Sequence, residues 1–291
     1  MDDAPLVSGA TSVINVEALV SEANRLEPLP ASATRLASIL ASGDWRPNEV
    51  IQVVSHDQAL TGKLLKVANS VSSGSQTQIM TVDSAVVRLG TGVVLSLAIG
   101  SGFRKQLQRK LPGTAEGDLW THSVGAAAAA EEIARACNGQ LPGEVMTAAL
   151  MHDVGKLLLR RHLDDETHAQ IEAYKINNDC AMTVAESEII GISHGEVGAL
   201  VAQNWRLPET LVRGIHYHHE PEGAAHFGAR DRLVCHAVFL ADRMAHAAAG
   251  GEILRKDLGS SLEVLGVAPE RLAELVRGAK RRLDEVLLWY T

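Results

Sequence analysis

The stretch Ala149-Leu150-Met151-His152-Asp153-Val154-Gly155-Lys156-Leu157-Leu158 sets an adjacent imidazole and carboxylate inside an otherwise apolar helical run. Neither group is stable in a core unless something satisfies it, and the usual solutions are a metal ion or a closed hydrogen-bond network. Residues of the same kinds recur on both sides. Upstream lie Asp118 and Trp120-Thr121-His122-Ser123; downstream come Ser193-His194-Gly195-Glu196, His216-Tyr217-His218-His219-Glu220 and Leu240-Ala241-Asp242-Arg243-Met244. Ten of the twelve histidines fall between His122 and His236. Each residue also has a plainer reading. His194 could cap the helix that begins near Gly195, Asp242 could pair with Arg243 or His246 on a helix surface, and Lys156 could be a surface lysine lying along its helix. One of His216, His218 and His219 should face solvent, because three successive directions cannot all enter one pocket. A second pair, His56-Asp57, falls between two short helices and lacks the following Gly-Lys, so Asp57 reads as the cap of the next helix.

Elements able to position these groups follow from composition and periodicity. Hydrophobic residues make up 46% of the chain and aromatics only 3%, so the core must be built from Ala, Leu, Val and Ile, which suits close helix packing. A loose tail is expected over 1–13, then a helix from near Asn15 with Val16, Leu19, Val20, Ala23 and Leu26 on one face. Further helices are expected from Ser32 to Leu40, Glu49 to Ser55, Leu60 to Ser70, Val82 to Leu89 (ended by Gly90) and from Val93 onward, with a polar turn over 72–78. Periodicity then predicts helices over 119–137, 143–160, 164–177, 182–191, 194–204, 208–218, 230–249 and 269–289, with a loop and a short helical turn between the last two. No strand signal, GxGxxG, P-loop or internal repeat is found, and the expected architecture is all-α. Leu111-Pro112-Gly113-Thr114-Ala115-Glu116-Gly117 is the strongest linker signal. The chain therefore divides into a helical subdomain over 14–111, a linker over 112–118, and a second subdomain over 119–291 that includes the C-terminal helix.

The formal charge of −8 and a pI near 5.8 disfavour a broad nucleic-acid surface. Two small basic clusters, Arg104-Lys105 with Arg109-Lys110 and Lys280-Arg281-Arg282, read as helix ends or solvated faces. Cys137, Cys180 and Cys235 are far apart and form no CxxC, which fits a reduced, cytoplasmic compartment. The acidic start Met1-Asp2-Asp3-Ala4-Pro5 is unlike a secretory leader, and the Ala126–Ala130 tract is closed by Glu131-Glu132 before it reaches the length of a membrane span. Neither nucleic acid nor membrane is expected as a partner.

Three pieces of the first half, Leu26-Glu27-Pro28-Leu29-Pro30-Ala31-Ser32-Ala33, Leu60-Thr61-Gly62-Lys63-Leu64-Leu65-Lys66-Val67-Ala68-Asn69-Ser70 and Ser84-Ala85-Val86-Val87-Arg88-Leu89-Gly90, carry a family resemblance. With Trp120-Thr121-His122-Ser123, the His152 motif, Trp205-Arg206-Leu207-Pro208 and His218-His219-Glu220-Pro221, they make residues 14–245 similar to the HDOD domain. This is a bacterial signalling module related to the HD superfamily of metal-dependent phosphohydrolases. Asp57-Gln58 departs from the Asp-Pro common in that family. The resemblance implies two packed helical subdomains, the second HD-like. It also implies a regulatory role through signalling partners or ligand sensing rather than turnover. Carried over residue by residue, His122, His152, Asp153 and Asp242 would hold one metal, and Asp153 would bridge to a second held by His194, His218 and His219. One or two ions of Fe, Mn, Ni or Zn suit such mixed ligands. The alternative is a metal-dependent hydrolase of a nucleotide or other phosphoester. Asp153 and Lys156 would then be catalytic, Lys156 facing a phosphate from one turn after His152, with Asp118 extending the site from four residues before His122. The Gly-Tyr-Pro motif of cyclic-di-GMP hydrolysis is replaced by Glu220-Pro221-Glu222-Gly223 after His219.

Overall fold

The computed structural model describes residues 19, 21–23, 25–70, 78–110, 114–138, 140–251 and 258–290. The expected tail, most of the helix expected from Asn15, most of the polar turn and part of the loop before the last helix lie outside the described residues. Among the described residues there are fourteen α-helices and no strand. They are α1 (Ala31–Ala41), α2 (Pro47–Ser55), α3 (Gln58–Ser70), α4 (Val82–Lys110), α5 (Thr114–Ala136), α6 (Val145–Met151) and α7 (Val154–His162). After these come α8 (Asp165–Asn178), α9 (Met182–Ile190), α10 (His194–Asn204), α11 (Glu209–His216), α12 (Ala229–Ala248), α13 (Gly259–Val264) and α14 (Leu272–Trp289).

The helix α5 is central. Ala126, Ala127, Ala128, Ala129 and Ala130 are all buried, so consecutive residues around its whole circumference face protein. Methyl side chains let neighbouring backbones approach closely, and α6, α12 and α14 pack directly on it. Glu131 then turns outward and is clamped by Arg282 of α14 through bonds of 2.7 and 2.9 Å. Trp120 on α5 meets the Tyr290 ring edge-on at 5.1 Å, and the Tyr290 hydroxyl lies 2.6 Å from Ser96 on α4. Burial raises the pKa of that phenol, so it stays neutral.

The two halves share one continuous apolar core running from Leu19 to Tyr290. Polar ties cross between them: Asn204 donates to the Ala23 carbonyl at 2.7 Å and Trp205 to the Glu27 carbonyl at 3.1 Å, which also accepts from Gln106 of the first half at 2.9 Å. The expected cap is present, since Asp57 accepts from the Leu60 amide at 3.0 Å and from the Ser32 hydroxyl at 2.6 Å.

Three expectations are corrected. Helix α5 begins at Thr114, inside the stretch expected as linker over 112–118. Gly117 is exposed in the helix, where a glycine costs about 1 kcal/mol and no contact. The single helix expected over 143–160 is broken at His152-Asp153, where Asp153 takes φ −95° and ψ 12°. Finally, Val82–Gln108 is long and apolar enough to cross a membrane, which the sequence reading did not find. It is a core helix: Gly90 (φ 77°) kinks it, and Val94, Leu95, Leu97, Ile99, Phe103 and Leu107 are fully buried among the other helices.

Candidate metal centre

Five separate segments deliver side chains to one point. His122 comes from α5, His152 and Asp153 from the α6–α7 break, and His194 from the first turn of α10. His218 and His219 follow α11, and Asp242 lies on α12. The break exists because α7 must lie almost in contact with α10. A Cβ at Gly155 would stand 1.9 Å from the His194 carbonyl oxygen, so only glycine allows the approach. Ser193 caps α10 in a reciprocal box with Glu196, which fixes where His194 enters.

Asp153 sits at the middle with its two oxygens facing different clusters. Oδ2 lies 3.4 Å from His152 Nε2 and 3.6 Å from His122 Nε2; Oδ1 lies 3.4 Å from His194 Nε2 and 3.7 Å from His218 Nε2. Asp242 Oδ1 closes the first cluster, 3.1 Å from His122 Nε2 and 3.5 Å from His152 Nε2. His219 Nε2 closes the second, 3.0 Å from His194 Nε2. Three imidazoles are oriented from behind. Nδ1 of His152 lies 2.7 Å from the Ala149 carbonyl, Nδ1 of His218 lies 2.5 Å from the Ile215 carbonyl, and Nδ1 of His194 lies 2.7 Å from Glu186 Oε2. In the neutral form of each ring Nδ1 therefore carries the proton, and Nε2 turns its lone pair inward.

That arrangement is short of donors. Nε2 atoms of His194 and His218 stand 3.2 Å apart with both Nδ1 positions already donating. Asp153 Oδ1 and Asp242 Oδ2 are buried without any hydrogen-bond partner. Lone pairs and carboxylate oxygens crowded together in a core need positive charge between them, and a divalent cation supplies it. The donor set fits an imidazole- and carboxylate-binding transition metal at two positions that share Asp153.

Electrostatics agree with that fit. Burial depresses the pKa of His122 and of His218, and holds His219 down at about 3, so these rings are neutral ligands at neutral pH. Burial also pushes His152 down, but the Asp153 and Asp242 carboxylates outweigh it and raise His152 to about 10. The converse holds for Asp153: burial pushes it up, and His152, Lys156 and His194 together hold it well below the usual carboxylate range.

Of the residues expected at the site, His122, His152, Asp153, His194, His218, His219 and Asp242 all converge. His194 is not the cap, which is Ser193. His216 is the exposed member of its trio, stacked on Tyr217 at 4.3 Å. Asp118 is exposed and belongs to none of the donor clusters. Lys156 donates to Asp153 Oδ2 at 2.7 Å and is a counter-ion of the centre. One participant was missed, and another was expected only as a surface partner of Asp242. Glu186 is buried and holds His194 through both its amide and Nδ1; the signal was an acid on the apolar stripe Met182–Glu186–Ile190 of α9. His246, one turn after Asp242, places Nε2 3.3 Å from Asp242 Oδ1.

Little space adjoins the centre. A cavity of about 390 Å³ reaches His219 and is rimmed by Glu188, Glu196 and Glu220; another of about 200 Å³ lies beside Lys156. A larger cavity, about 850 Å³, lies far from this chemistry, among Pro30, Ser32, Arg35, Gln52, His56 and Asp57. His56 and Asp57 there serve turn and cap, with His56 Nδ1 2.6 Å from the Gln52 carbonyl.

Comparison with known proteins places this geometry. The HDOD domain family matches residues 26–221. An HDOD domain protein of unknown function from Geobacter sulfurreducens is 25% identical and superposes with a TM-score of 0.70, covering 94% of this chain and 99% of its own. A protein of Shewanella amazonensis SB2B, provisionally called a phosphohydrolase, is also 25% identical, with a TM-score of 0.65 over 93% of this chain and 98% of its own. An uncharacterized protein of Treponema pallidum (strain Nichols) is 25% identical over 203 residues, which are 68% of this chain and 39% of that relative. The chain thus matches well under half the length of that curated relative.

Proposed function

The chain belongs to the HDOD domain family, and on that premise we propose that it is a bacterial, cytoplasmic regulatory module. Its buried centre takes up divalent transition metal, at two positions sharing Asp153, and it acts through contact with a signalling protein. The metal itself is supported by the orphaned oxygens of Asp153 and Asp242 among inward-facing imidazoles. Regulation rather than turnover is supported by one observation above all: the charge of the approach. The rim beside His219 carries Glu188, Glu196 and Glu220, and Lys156, the one cation expected to meet a phosphate, is committed to Asp153. A phosphoester bears negative charge and would approach the His219 side against those three carboxylates.

The second reading is a phosphohydrolase, the provisional name of the Shewanella relative. It is favoured by the bridging position of Asp153, because ions held on either side would supply Lewis acidity to a phosphoester. One experiment separates the two. The purified chain is analysed for metal, reconstituted with Fe, Mn, Ni or Zn, and assayed against phosphomonoesters, phosphodiesters and cyclic nucleotides. Metal uptake without turnover is the expected result. Sustained turnover that disappears in His218→Ala would replace the regulatory reading with the enzymatic one, and no uptake of any ion would end both.

A further inference from the structure

His246 has no role in the two metal positions drawn so far, yet it stands among their ligands. Its ring packs against His122 with centroids 4.5 Å apart, and His122, Asp242 and His246 each bring a ligand atom within 4.8 Å of the other two. The arrangement around Asp242 is uneven. Oδ1 faces three imidazole nitrogens, at 3.1 Å (His122), 3.3 Å (His246) and 3.5 Å (His152), while buried Oδ2 has no partner. A carboxylate oxygen has two lone-pair directions, so three donors on one oxygen and none on its twin is a poor hydrogen-bonding plan. It is a good one for ligands around a cation, where bonds of about 2.1 Å place neighbouring donors roughly 3 Å apart.

We infer that His246 is a further protein ligand of the ion held by His122, His152, Asp153 and Asp242, and that it closes this ion off from solvent. The inference rests on the metal reading above and goes beyond the donor set that the family resemblance implies. His246 differs from the inner ligands in exposure: its side chain is 54% accessible, against 17% for His122 and 1% for His152. It is also carried on a single helical turn beyond Asp242, so its rotamer can swing outward without moving the backbone. Of the residues that would hold this ion, His246 is the one most open to solvent.

The test uses the full chain loaded with Co²⁺, whose visible spectrum reports coordination number. His246 is exposed and anchors no core packing, so His246→Ala is expected to fold as the parent does. The variant should bind one of two ions roughly tenfold more weakly or worse, a loss at least equal to that from a removed outer-shell partner. Its visible bands should change, and free imidazole should restore the parent spectrum. Affinity and spectrum identical to the parent's would overturn the inference while leaving the metal centre in place. A parent chain that takes up no Co²⁺ would overturn both this inference and the reading it rests on.

Discussion

Replacing Gly155 with alanine adds one methyl group at the point where α7 meets α10. The new carbon would lie 1.9 Å from the His194 carbonyl oxygen and 2.6 Å from the Gly198 nitrogen. Both are backbone atoms, so no side chain can rotate away. Restoring an ordinary contact of about 3.5 Å requires α7 and α10 to separate by on the order of 1.5 Å. Overpacking in a core costs about 1–3 kcal/mol, and a backbone obstacle puts this change at or above the upper end. For a chain of this size roughly 2 °C is lost per kcal/mol, so Gly155→Ala should lower the melting temperature by about 6 °C or more. The same displacement carries His194 away from Asp153, so the ion position built on His194, His218 and His219 should weaken more than the other. Gly62→Ala is the matched control. It lies inside α3 with nothing within 4 Å of its added carbon. There the methyl group should raise stability by about 0.5–1 kcal/mol. Thermal unfolding followed by circular dichroism, with and without metal, reads both. A Gly155→Ala protein melting within a degree of the parent would refute the close approach on which the site's geometry rests.

Further tests concern charge. In the metal-free chain His152 stays an imidazolium up to about pH 10 while His122, His218 and His219 are neutral imidazoles at neutrality, so an incoming ion should expel one proton. Apparent affinity should then rise about tenfold per pH unit between pH 7 and 8.5, measured by chelator competition, and a slope of zero would reject the assignment. Because the folded pKa of His152 lies above its ordinary 6.5, the metal-free fold loses that residue's contribution as pH rises from 6.5 toward about 10. The melting-temperature gain on loading should therefore widen over the same window. Asp153→Asn should abolish uptake at both positions and, even without metal, cost about 3–5 kcal/mol in urea unfolding, since His152 and Lys156 lose their buried counter-ion; a parent-like midpoint would show that the pair is not charged. Metal loading should slow amide exchange in α9, α10 and α11 and leave α1 to α3 unchanged; uniform slowing throughout would point to a global effect rather than a local clamp.

Much of the fold was legible because helices this apolar announce themselves by period, and the ligands because His and Asp rarely sit on an apolar stripe. His152 and Asp153 were conspicuous for that reason, yet the helix break at the same two residues was not. The break depends on how closely α10 approaches Gly155, a tertiary fact with no local trace. Thr114 to Gly117 looked like linker because glycine and proline cluster just before it, but Asp118, Leu119 and Trp120 extend a helix backward once Leu119 and Trp120 are buried. Glu186 was within reach: in Met182–Ile190 it occupies the face that also carries Ile190, and an acid there implies a buried partner. His246 was weighed only as a surface partner of Asp242, because i,i+4 spacing says that two side chains are neighbours and not what lies between them.

The position of the centre explains how its occupancy could be read at a distance. The residues that would hold an ion come from α5, the α6–α7 break, α10, the segment after α11 and α12, so an ion there would tie five pieces of chain at one point. Binding energies of structural ions are of order 10 kcal/mol, comparable with the whole stability of a folded domain. Occupancy therefore shifts the rigidity of this half of the molecule by an amount the fold cannot ignore. The path outward is short: His194 is held from behind by Glu186, and Glu186 belongs to α9, whose Val184 is an exposed apolar side chain. Glu186 thus joins His194 to an outer helix through both the amide and Nδ1 of His194.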